Sequence, residues 1–389
     1  MLPRRSFLPC LPFALSPTLA NSPSRITALR THLSRLAGRE YVFLEIETSS
    51  GHTGLGEASL PGKAKLMAEA LAWLAPHLTG QDPAGIADHW NRLFYDTNRW
   101  RDGSVLMTAL SAVDIALWDV EGKRLGVPTW RLLGGNNAKP LRVYYSHWSN
   151  NLKDRSPAAL AEHARKTLAE GWTAVKWVIP RHPDERTRLA NTVAEVAAIR
   201  DAVGDQLDIA LEMYETFTVR SALSLARALA PYRLLFLEEP VWRESNFALG
   251  QVAAQSPIPL AGGEGLLHRW QFRDLLEAKG AVIVQPDVVH CGGITEIRRI
   301  AHLAEVYGAE VAPHMWYGPI AHLASLHSMS AIRNFFLQEF DGAHARLFHD
   351  LSDGTFPLLA QGHITLNQRP GLGLSLNLPA WTQRFPFAP

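Results

Sequence analysis

The sequence has little cysteine, almost no net charge and no long apolar run. Its 389 residues include two cysteines and carry a formal net charge of +1. A balance this close to zero gives no electrostatic basis for binding nucleic acid or an acidic membrane surface. No apolar run approaches the roughly 20 residues that a transmembrane helix needs. We therefore expect neither nucleic acid nor membrane among the partners, and the 47% of hydrophobic residues suffice for the cores of two domains.

The N-terminal residues 1–20 resemble a twin-arginine export signal. Arg4 and Arg5 precede a weakly apolar segment that ends in the small-x-small pattern Thr18-Leu19-Ala20. This pattern predicts export to the periplasm; the alternative is a disordered extension or a misplaced start of a cytoplasmic protein. If cleavage follows Ala20, Cys10 is lost and Cys291 remains alone, so we expect no internal disulfide.

Residues 22–138 have the pattern of an α+β domain. The stretch "YVFLEIETSSGHTGLGEA" alternates apolar and polar residues on both sides of Ser50-Gly51, which predicts a β-hairpin. Further on, apolar residues at helical spacing predict a helix from Ser104, its expected N-cap, to Gly126. We expect this domain to supply a lid over a pocket of the second domain, through the loop from Leu33 to Arg39 and the turn from Arg99 to Asp102.

Residues 139–355 alternate short apolar strands with amphipathic helices. This alternation predicts a TIM-type (β/α) barrel, with residues 356–389 packing back on the first domain. A doubly wound open sheet is the alternative, but no glycine-rich phosphate-binding motif follows any strand. The predicted strands are Arg142–Ser146, Ala174–Val178, Asp208–Glu212, Leu234–Glu238, Ile258–Gly263, Ala281–Gln285, Glu310–Pro313 and Phe335–Glu339.

Three predicted strands in succession bring a glutamate to their carboxyl ends. Glu212, Glu238 and Glu264 follow one another at the spacing of one strand-helix module. Since the carboxyl ends of barrel strands meet at one rim, we expect the three carboxylates to converge there. Three carboxylates suit the octahedral oxygen coordination of Mg²⁺, whereas without a cation they would repel one another. The alternative is that they are solvated loop residues.

Asp287 and His314 follow the next two strands. An aspartate that accepts a hydrogen bond from one ring nitrogen fixes the tautomer of a histidine and leaves its other nitrogen free as a general base. A histidine after a proline is more often structural. Its expected position opposite the carboxylates, beside Asp287, favours a catalytic role for His314.

Several motifs resemble those of one enzyme family. "FLEEPV", "PLAGGEG", "QPDVVHCGGITE" and "VAPH" are similar to motifs of the enolase superfamily, mandelate racemase/muconate lactonizing enzyme family. "NRWRDGSVLM", "LAGGEGLLHRW" and "APHMWYGPI" look most like galactonate dehydratase and related acid-sugar dehydratases. The resemblance covers nearly all of the chain beyond residue 20, and it implies an enolase-like modified barrel with an N-terminal capping domain.

The resemblance implies a reaction and a set of site residues. The proton α to a carboxylate is removed to give an enediolate stabilised by Mg²⁺, and the β-hydroxyl then leaves to give a 2-keto-3-deoxy acid. Glu339 would hydrogen-bond the carboxylate of a small acid-sugar substrate, which requires a protonated or strongly shared acid there. Related enzymes commonly form homo-oligomers. The implied residues are Glu212, Glu238 and Glu264 for the metal, and His314, Asp287, Glu339 and Lys176 for catalysis. In the capping domain, Arg99 and Arg101 are candidates for contacts with substrate, with surface salt bridges as the alternative. Trp316 is a further candidate for substrate binding.

The sequence departs from the family at two places. Val178 stands where racemases have the second lysine of a Lys-x-Lys pair, so Lys176 is expected to balance charge rather than act as a base. Glu212-x-Tyr214 stands where related dehydratases have Asp-x-His. Strand alternation predicts that Glu212 and Tyr214 share a face while Glu215 is solvated. Tyr214 then either protonates the leaving hydroxyl or only lines the pocket, in which case His314 returns its proton.

These features predict a Mg²⁺-dependent acid-sugar dehydratase, a carbon–oxygen hydro-lyase. Two alternatives remain open on the sequence. One is an epimerase, racemase or cycloisomerase of the same superfamily. The other is an exported binding protein without activity, whose site has changed at Glu212 and Tyr214.

Overall fold

A computed structural model describes residues 24–96, 102–135 and 139–387, and its first part is an antiparallel sheet covered by helices. The sheet has the strand order β1-β2-β3, and the hairpin predicted at Ser50-Gly51 joins β2 to β3. A π-helical turn over Arg92–Asp96 follows the second helix. The elements are β1 (Ile26–Leu36), β2 (Arg39–Thr48), β3 (Thr53–Glu57), α1 (Ala64–Leu78), α2 (Ile86–Asn91), α3 (Ser104–Arg124) and α4 (Thr129–Leu132).

Helix α3 lies between this sheet and the rest of the molecule. Its predicted cap is wrong by one residue, because Gly103 occupies the N-cap position and Ser104 is the first helical residue. The strand β3 approaches α3 so closely that a Cβ at Gly54 would lie 2.1 Å from the carbonyl oxygen of Ala116. On its other side, Trp118 donates a hydrogen bond of 2.9 Å to Thr295. Because α3 is buried on both sides, its own apolar residues occur all around the helix.

The second part is a closed parallel barrel, so the TIM-type fold predicted from the sequence is confirmed. Strands β4 to β10 pair in chain order, β11 pairs with β4, and a bridge between Val311 and Phe335 closes the ring. The last strand begins at Gln338 rather than at the predicted Phe335, since Phe335 makes only the bridge to β10. The strands are β4 (Leu141–Tyr145), β5 (Ala174–Val178), β6 (Asp208–Glu212), β7 (Phe236–Glu238), β8 (Leu260–Gly262), β9 (Ile283–Val284), β10 (Glu310–Val311) and β11 (Gln338–Phe340).

Helices follow the barrel strands and shield them from solvent. Their first turns are capped by side chains at several positions, as where Ser156 accepts a hydrogen bond from the backbone N–H of Ala159. The helices are α5 (Pro157–Ala169), α6 (Glu185–Val203), α7 (Val219–Leu229), α8 (Asn246–Ala253), α9 (Arg269–Glu277), α10 (Gly293–Val306), α11 (Pro319–Met329) and α12 (Ala345–Leu351).

The barrel interior is filled by large and small side chains in alternation. The rings of Tyr144 and Phe236 meet edge to face at 6.2 Å, and alanines on neighbouring strands leave room for them. Such a filled interior fixes the rim above it as a rigid platform. The buried set is Tyr144, Ala174, Ala210, Phe236, Ala261, Ile283, Ala312 and Leu337.

The C-terminal segment returns to the first domain. Strand β12 (His363–Ile364) pairs antiparallel with β4, and helix α13 (Leu378–Arg384) reaches β1. There Trp381 donates a hydrogen bond of 2.9 Å to Ser34 and packs edge-on against Phe43. In the described part of the chain, no helix combines the length and the apolar character that crossing a bilayer requires.

Candidate active site

Three carboxylates meet at the carboxyl end of the barrel. Glu212 ends β6 and lies in register with Glu238, which ends β7, while Glu264 follows β8 by two residues. One carboxylate oxygen from each of the three lies within 4.8 Å of the others. The spacing of one module per strand therefore places all three acids at one point, as the sequence predicted.

Lys176 lies beneath these carboxylates. Its ammonium group is 2.7 Å from both oxygens of Glu238, 3.2 Å from Glu339 and 3.9 Å from Glu212. Although burial lowers the pKa of Lys176, the attraction of these carboxylates raises it well above its ordinary value. Burial and the charge of Glu238 together raise the pKa of Glu212. One ammonium thus compensates only part of the negative charge gathered here.

His314 and Asp287 form the predicted pair. Nδ1 of His314 lies 2.5 Å from Oδ2 of Asp287, and the backbone N–H of Val289 donates to Oδ1 at 2.7 Å. Because both oxygens of Asp287 accept, Nδ1 of His314 carries a proton and Nε2 faces the carboxylates, 3.5 Å from Glu264. Burial lowers the pKa of His314, but Glu264, Glu339 and Asp287 outweigh it and raise this pKa to about 10.

Glu339 lies among donors and positive groups, which favour its ionised form over the protonated or shared acid that the sequence predicts. It accepts hydrogen bonds from Ser146 and from the backbone N–H of Met315, the latter at 2.9 Å. Burial raises the pKa of Glu339, but the positive charges of Lys176 and His314 lower it to about 2. A substrate carboxylate next to Glu339 would therefore need a positive group or a donor between the two.

A cavity of about 220 Å³ lies above this cluster. Glu238 and Asp287 are fully buried behind its wall. The sequence does not identify Pro61, His147, Trp177 or Tyr317 as cavity residues. Of these, His147 is predictable in principle, because it follows the first barrel strand, whose carboxyl end faces the site. The lining residues are Pro61, His147, Lys176, Trp177, Val178, Glu212, Tyr214, Glu264, His314, Trp316, Tyr317 and Glu339.

Tyr214 lines the cavity for a different reason from the one predicted. Strand β6 ends at Glu212, so alternation does not extend to Tyr214. The backbone turns instead into the left-handed region, with φ of 53° at Tyr214 and 56° at Glu215. This turn lets the backbone N–H of Tyr214 donate to Glu212 at 2.6 Å, while the Tyr214 ring is 54% exposed and lies under Arg181.

Glu215 is not the solvated loop residue that the sequence predicted. It is half-buried and pairs with Arg243, whose guanidinium also lies 3.5 Å from Glu239 and 3.8 Å from Glu264. The backbone N–H of Glu215 donates to the carbonyl of Glu239 at 2.8 Å. Arg243 therefore joins the turn after β6 to the turns after β7 and β8, and so helps to hold Glu264.

The first domain contributes Pro61 to the cavity wall, and its β1–β2 hairpin contacts Trp316, another residue of that wall. The predicted loop from Leu33 to Arg39 is the end of β1 and a tight turn, from which the guanidinium of Arg39 lies 4.5 Å from the ring of Trp316 and pairs with Asp341. Trp316, expected to contact substrate, is therefore held against the capping domain. Arg99, Arg101 and the export segment 1–20 lie outside the described residues.

A capped parallel barrel with acids on three consecutive strands and a His–Asp pair on the next two defines an enzyme of the enolase superfamily. Two family models agree: "Mandelate racemase / muconate lactonizing enzyme, N-terminal domain" matches residues 18–134, and "Enolase C-terminal domain-like" matches residues 159–381. The chain belongs to the mandelate racemase/muconate lactonizing enzyme family.

Relatives and solved structures support this membership. A D-galactonate dehydratase of Ralstonia nicotianae is 38% identical over 377 residues, which cover 94% of this chain and 95% of the relative. A D-galactonate dehydratase of Pectobacterium atrosepticum is 36% identical with the same coverage. The structure of a mandelate racemase/muconate lactonizing enzyme from Jannaschia sp. CCS1 has a TM-score of 0.87 and 30% identity, covering 94% of this chain and 98% of that one. The predictions of the superfamily and of a hydro-lyase are confirmed.

Proposed function

We propose that the protein is a Mg²⁺-dependent dehydratase of acid sugars, with galactonate-like aldonates as its substrates. The observation that carries this proposal is the His314–Asp287 pair, whose Nε2 nitrogen faces the cluster of three carboxylates in one cavity. Two curated relatives that cover nearly the whole chain are D-galactonate dehydratases, which supports the substrate class.

Glu212, Glu238 and Glu264 fit a divalent cation. One oxygen from each lies within 4.8 Å of the others, and burial together with the charge of Glu238, which Lys176 does not fully balance, raises the pKa of Glu212. An all-oxygen set of ionisable carboxylates is the donor set that Mg²⁺ prefers. When bound there, the cation would stabilise the negative charge that develops on the substrate carboxylate.

His314 is the base in this proposal. Asp287 holds the Nδ1 proton of His314. Although burial lowers the pKa of His314, the charges of Glu264 and Glu339 raise it to about 10, and a cation held by the three carboxylates would offset this charge and lower that pKa. Nε2 is then unprotonated and takes the proton from the carbon next to the substrate carboxylate. Lys176 is enclosed by Glu238, Glu339 and Glu212, so it serves to balance charge. Val178 offers no second base at the position where racemases have a lysine, which favours elimination over racemisation.

The proton for the departing hydroxyl has two candidate sources. Tyr214 is one, because it lies on the cavity wall and its phenol group is a hydrogen-bond donor. The other is His314, which would return the proton it has taken. A comparison of wild type with Tyr214→Phe separates them: unchanged turnover would remove Tyr214 from the mechanism.

A screen of acid sugars with Mg²⁺ tests the proposal. We expect at least one aldonate to give a 2-keto-3-deoxy acid, detected with semicarbazide, and His314→Asn to abolish the product. A sugar acid that is epimerised without loss of water would contradict the proposed reaction. If no Mg²⁺ binds and Glu238→Gln changes nothing, the chain acts as a binding protein instead.

Two further proposals rest on the sequence alone. We propose that residues 1–20 direct export by the twin-arginine route and that the enzyme forms a homo-oligomer. A reporter fused behind residues 1–24 should reach the periplasm with Arg4-Arg5 and stay in the cytoplasm when both are lysine. Light scattering on the purified protein should give a mass that is a multiple of the 43.1 kDa chain.

A further inference from the structure

His147 is a cavity residue to which neither the family motifs nor the proposed reaction gives a role. It follows β4 directly, at the end of the first barrel strand, where side chains face the active site. Its backbone is left-handed, with φ of 50°, a conformation that costs a residue with a side chain about 1 kcal/mol. The ring lies 5.7 Å from that of Trp316.

A chain of hydrogen bonds determines which nitrogen of His147 carries a proton. Glu339 is surrounded by donors, since the N–H of Met315 and the ammonium of Lys176 lie 2.9 and 3.2 Å from its oxygens. Ser146 also contacts Glu339 and must donate its single hydroxyl hydrogen to it. The hydroxyl oxygen of Ser146, 2.6 Å from Nδ1 of His147, can then only accept. Nδ1 of His147 is therefore the protonated nitrogen.

The other nitrogen of His147 is left as an acceptor. Burial lowers the pKa of this histidine to about 4, so its ring is neutral near pH 7. A neutral ring with its proton on Nδ1 has a lone pair on Nε2. Nε2 makes no hydrogen bond with any residue that the structure describes. Because Nδ1 is tied to the buried Ser146, the opposite edge of the ring is the one available to a molecule in the cavity.

We propose that His147 is a substrate-binding residue that accepts a hydrogen bond from a hydroxyl group of the substrate through Nε2. This inference rests on the proposed function, since the substrate must carry hydroxyls beyond the one that leaves. The carboxylates that dominate the rest of the site can also accept hydrogen bonds from hydroxyl groups, but their negative charge repels the carboxylate of an acid-sugar substrate. A neutral acceptor lets the cavity select a polyhydroxylated acid without adding negative charge.

Nitrogen-15 NMR of protein labelled at histidine tests the tautomer without any substrate. The signals of His147, identified by their absence in His147→Gln, should show a protonated Nδ1 and an unprotonated Nε2. Ser146→Ala should remove this preference. A proton on Nε2 in the wild type would overturn the inference.

Kinetics of His147→Phe and His147→Gln test the contact with substrate. Phe removes the acceptor, whereas Gln places an amide oxygen near the position of Nε2, and both carry the same left-handed backbone. We expect KM to rise about fivefold in His147→Phe with little change in kcat, and less in His147→Gln, because a neutral hydrogen bond contributes about 1 kcal/mol. Among acid sugars that each lack one hydroxyl, one should show the same KM with wild type and His147→Phe.

The experiments distinguish failure of the proposed dehydratase function from failure of the proposed role of His147. A wild type that dehydrates no acid sugar contradicts the proposed function. Turnover by wild type with an unaltered KM in His147→Phe contradicts only the role of His147, as does a fall in kcat alone. Equal losses in the Phe and Gln variants would also contradict it, since they would indicate a packing role.

Discussion

Mg²⁺ should stabilise the folded protein through the three converging carboxylates. Two ionised carboxylates 4.8 Å apart repel each other by about 3.5 kcal/mol at an effective dielectric constant of about 20. A cation that binds only the folded state relieves this repulsion. At a hundredfold excess over its Kd, it adds about 2.7 kcal/mol to the free energy of unfolding.

The expected rise in melting temperature follows from the size of the chain. An unfolding entropy of about 2.1 cal/mol/K per residue gives about 0.8 kcal/mol/K for 389 residues. Mg²⁺ at that excess should therefore raise Tm by about 3 °C, measured by differential scanning fluorimetry against NaCl of the same ionic strength.

Two variants serve as controls for this measurement. Glu238→Gln should lose the response to Mg²⁺, because it removes the fully buried carboxylate at the centre of the cluster. Glu162→Gln should keep it, because Glu162 is an exposed acid on α5, far from the cluster in the fold. A Tm that does not change with Mg²⁺, or that rises equally in Glu238→Gln, would refute the assignment of these residues to a cation.

Three further outcomes can be measured. His314→Asn should lower kcat at least a hundredfold in the semicarbazide assay while leaving the Tm response to Mg²⁺ intact; loss of both would indicate a structural role. Burial raises the pKa of Glu57 from 4.5 to about 7, so its contribution to stability is complete below pH 4.5 and is lost as the pH rises through 7. Relative to Glu57→Gln, the free energy of unfolding of the wild type, measured with urea, should fall by on the order of 3 kcal/mol between pH 4.5 and 8. Unfolding free energies that change in parallel with pH in the two proteins would contradict this. Arg39→Ala should destabilise the protein by about 1–3 kcal/mol, because it leaves the buried carboxylate of Asp341 without its guanidinium partner. It should also raise KM, because Trp316 loses its contact with Arg39. Arg39→Lys should show a smaller loss of stability and a smaller rise in KM, because the positive charge is kept.

The sequence predicts the positions of those site residues that recur at a regular spacing along the chain. Glu212, Glu238 and Glu264 lie at or just beyond the carboxyl ends of successive strands, one strand-helix module apart, and such modules in a barrel bring corresponding residues to one rim. The pairing of Asp287 with His314 follows from the same rule, because they end neighbouring strands.

Residues that depend on local backbone geometry or distant contacts could not be predicted. Alternation holds only within a strand, and β6 ends at Glu212, so the direction of Tyr214 follows from a left-handed turn instead. Glu215 has its partner, Arg243, on another module, and no local pattern reveals an ion pair between them. Pro61 reaches the cavity from the capping domain, a contact set by packing of the two domains.

The left-handed turn at Tyr214 and Glu215 lowers the stability of the fold in order to place a side chain in the cavity wall. Each side-chain-bearing residue held at positive φ costs on the order of 1 kcal/mol that glycine would avoid. The strain is offset by the bond from the backbone N–H of Tyr214 to Glu212 and by the pairing of Glu215 with Arg243. A glycine at position 214 would relax the turn and make the fold more stable, but it would remove an aromatic wall of the cavity. Selection for heat resistance and selection for turnover should therefore favour different residues at this one site.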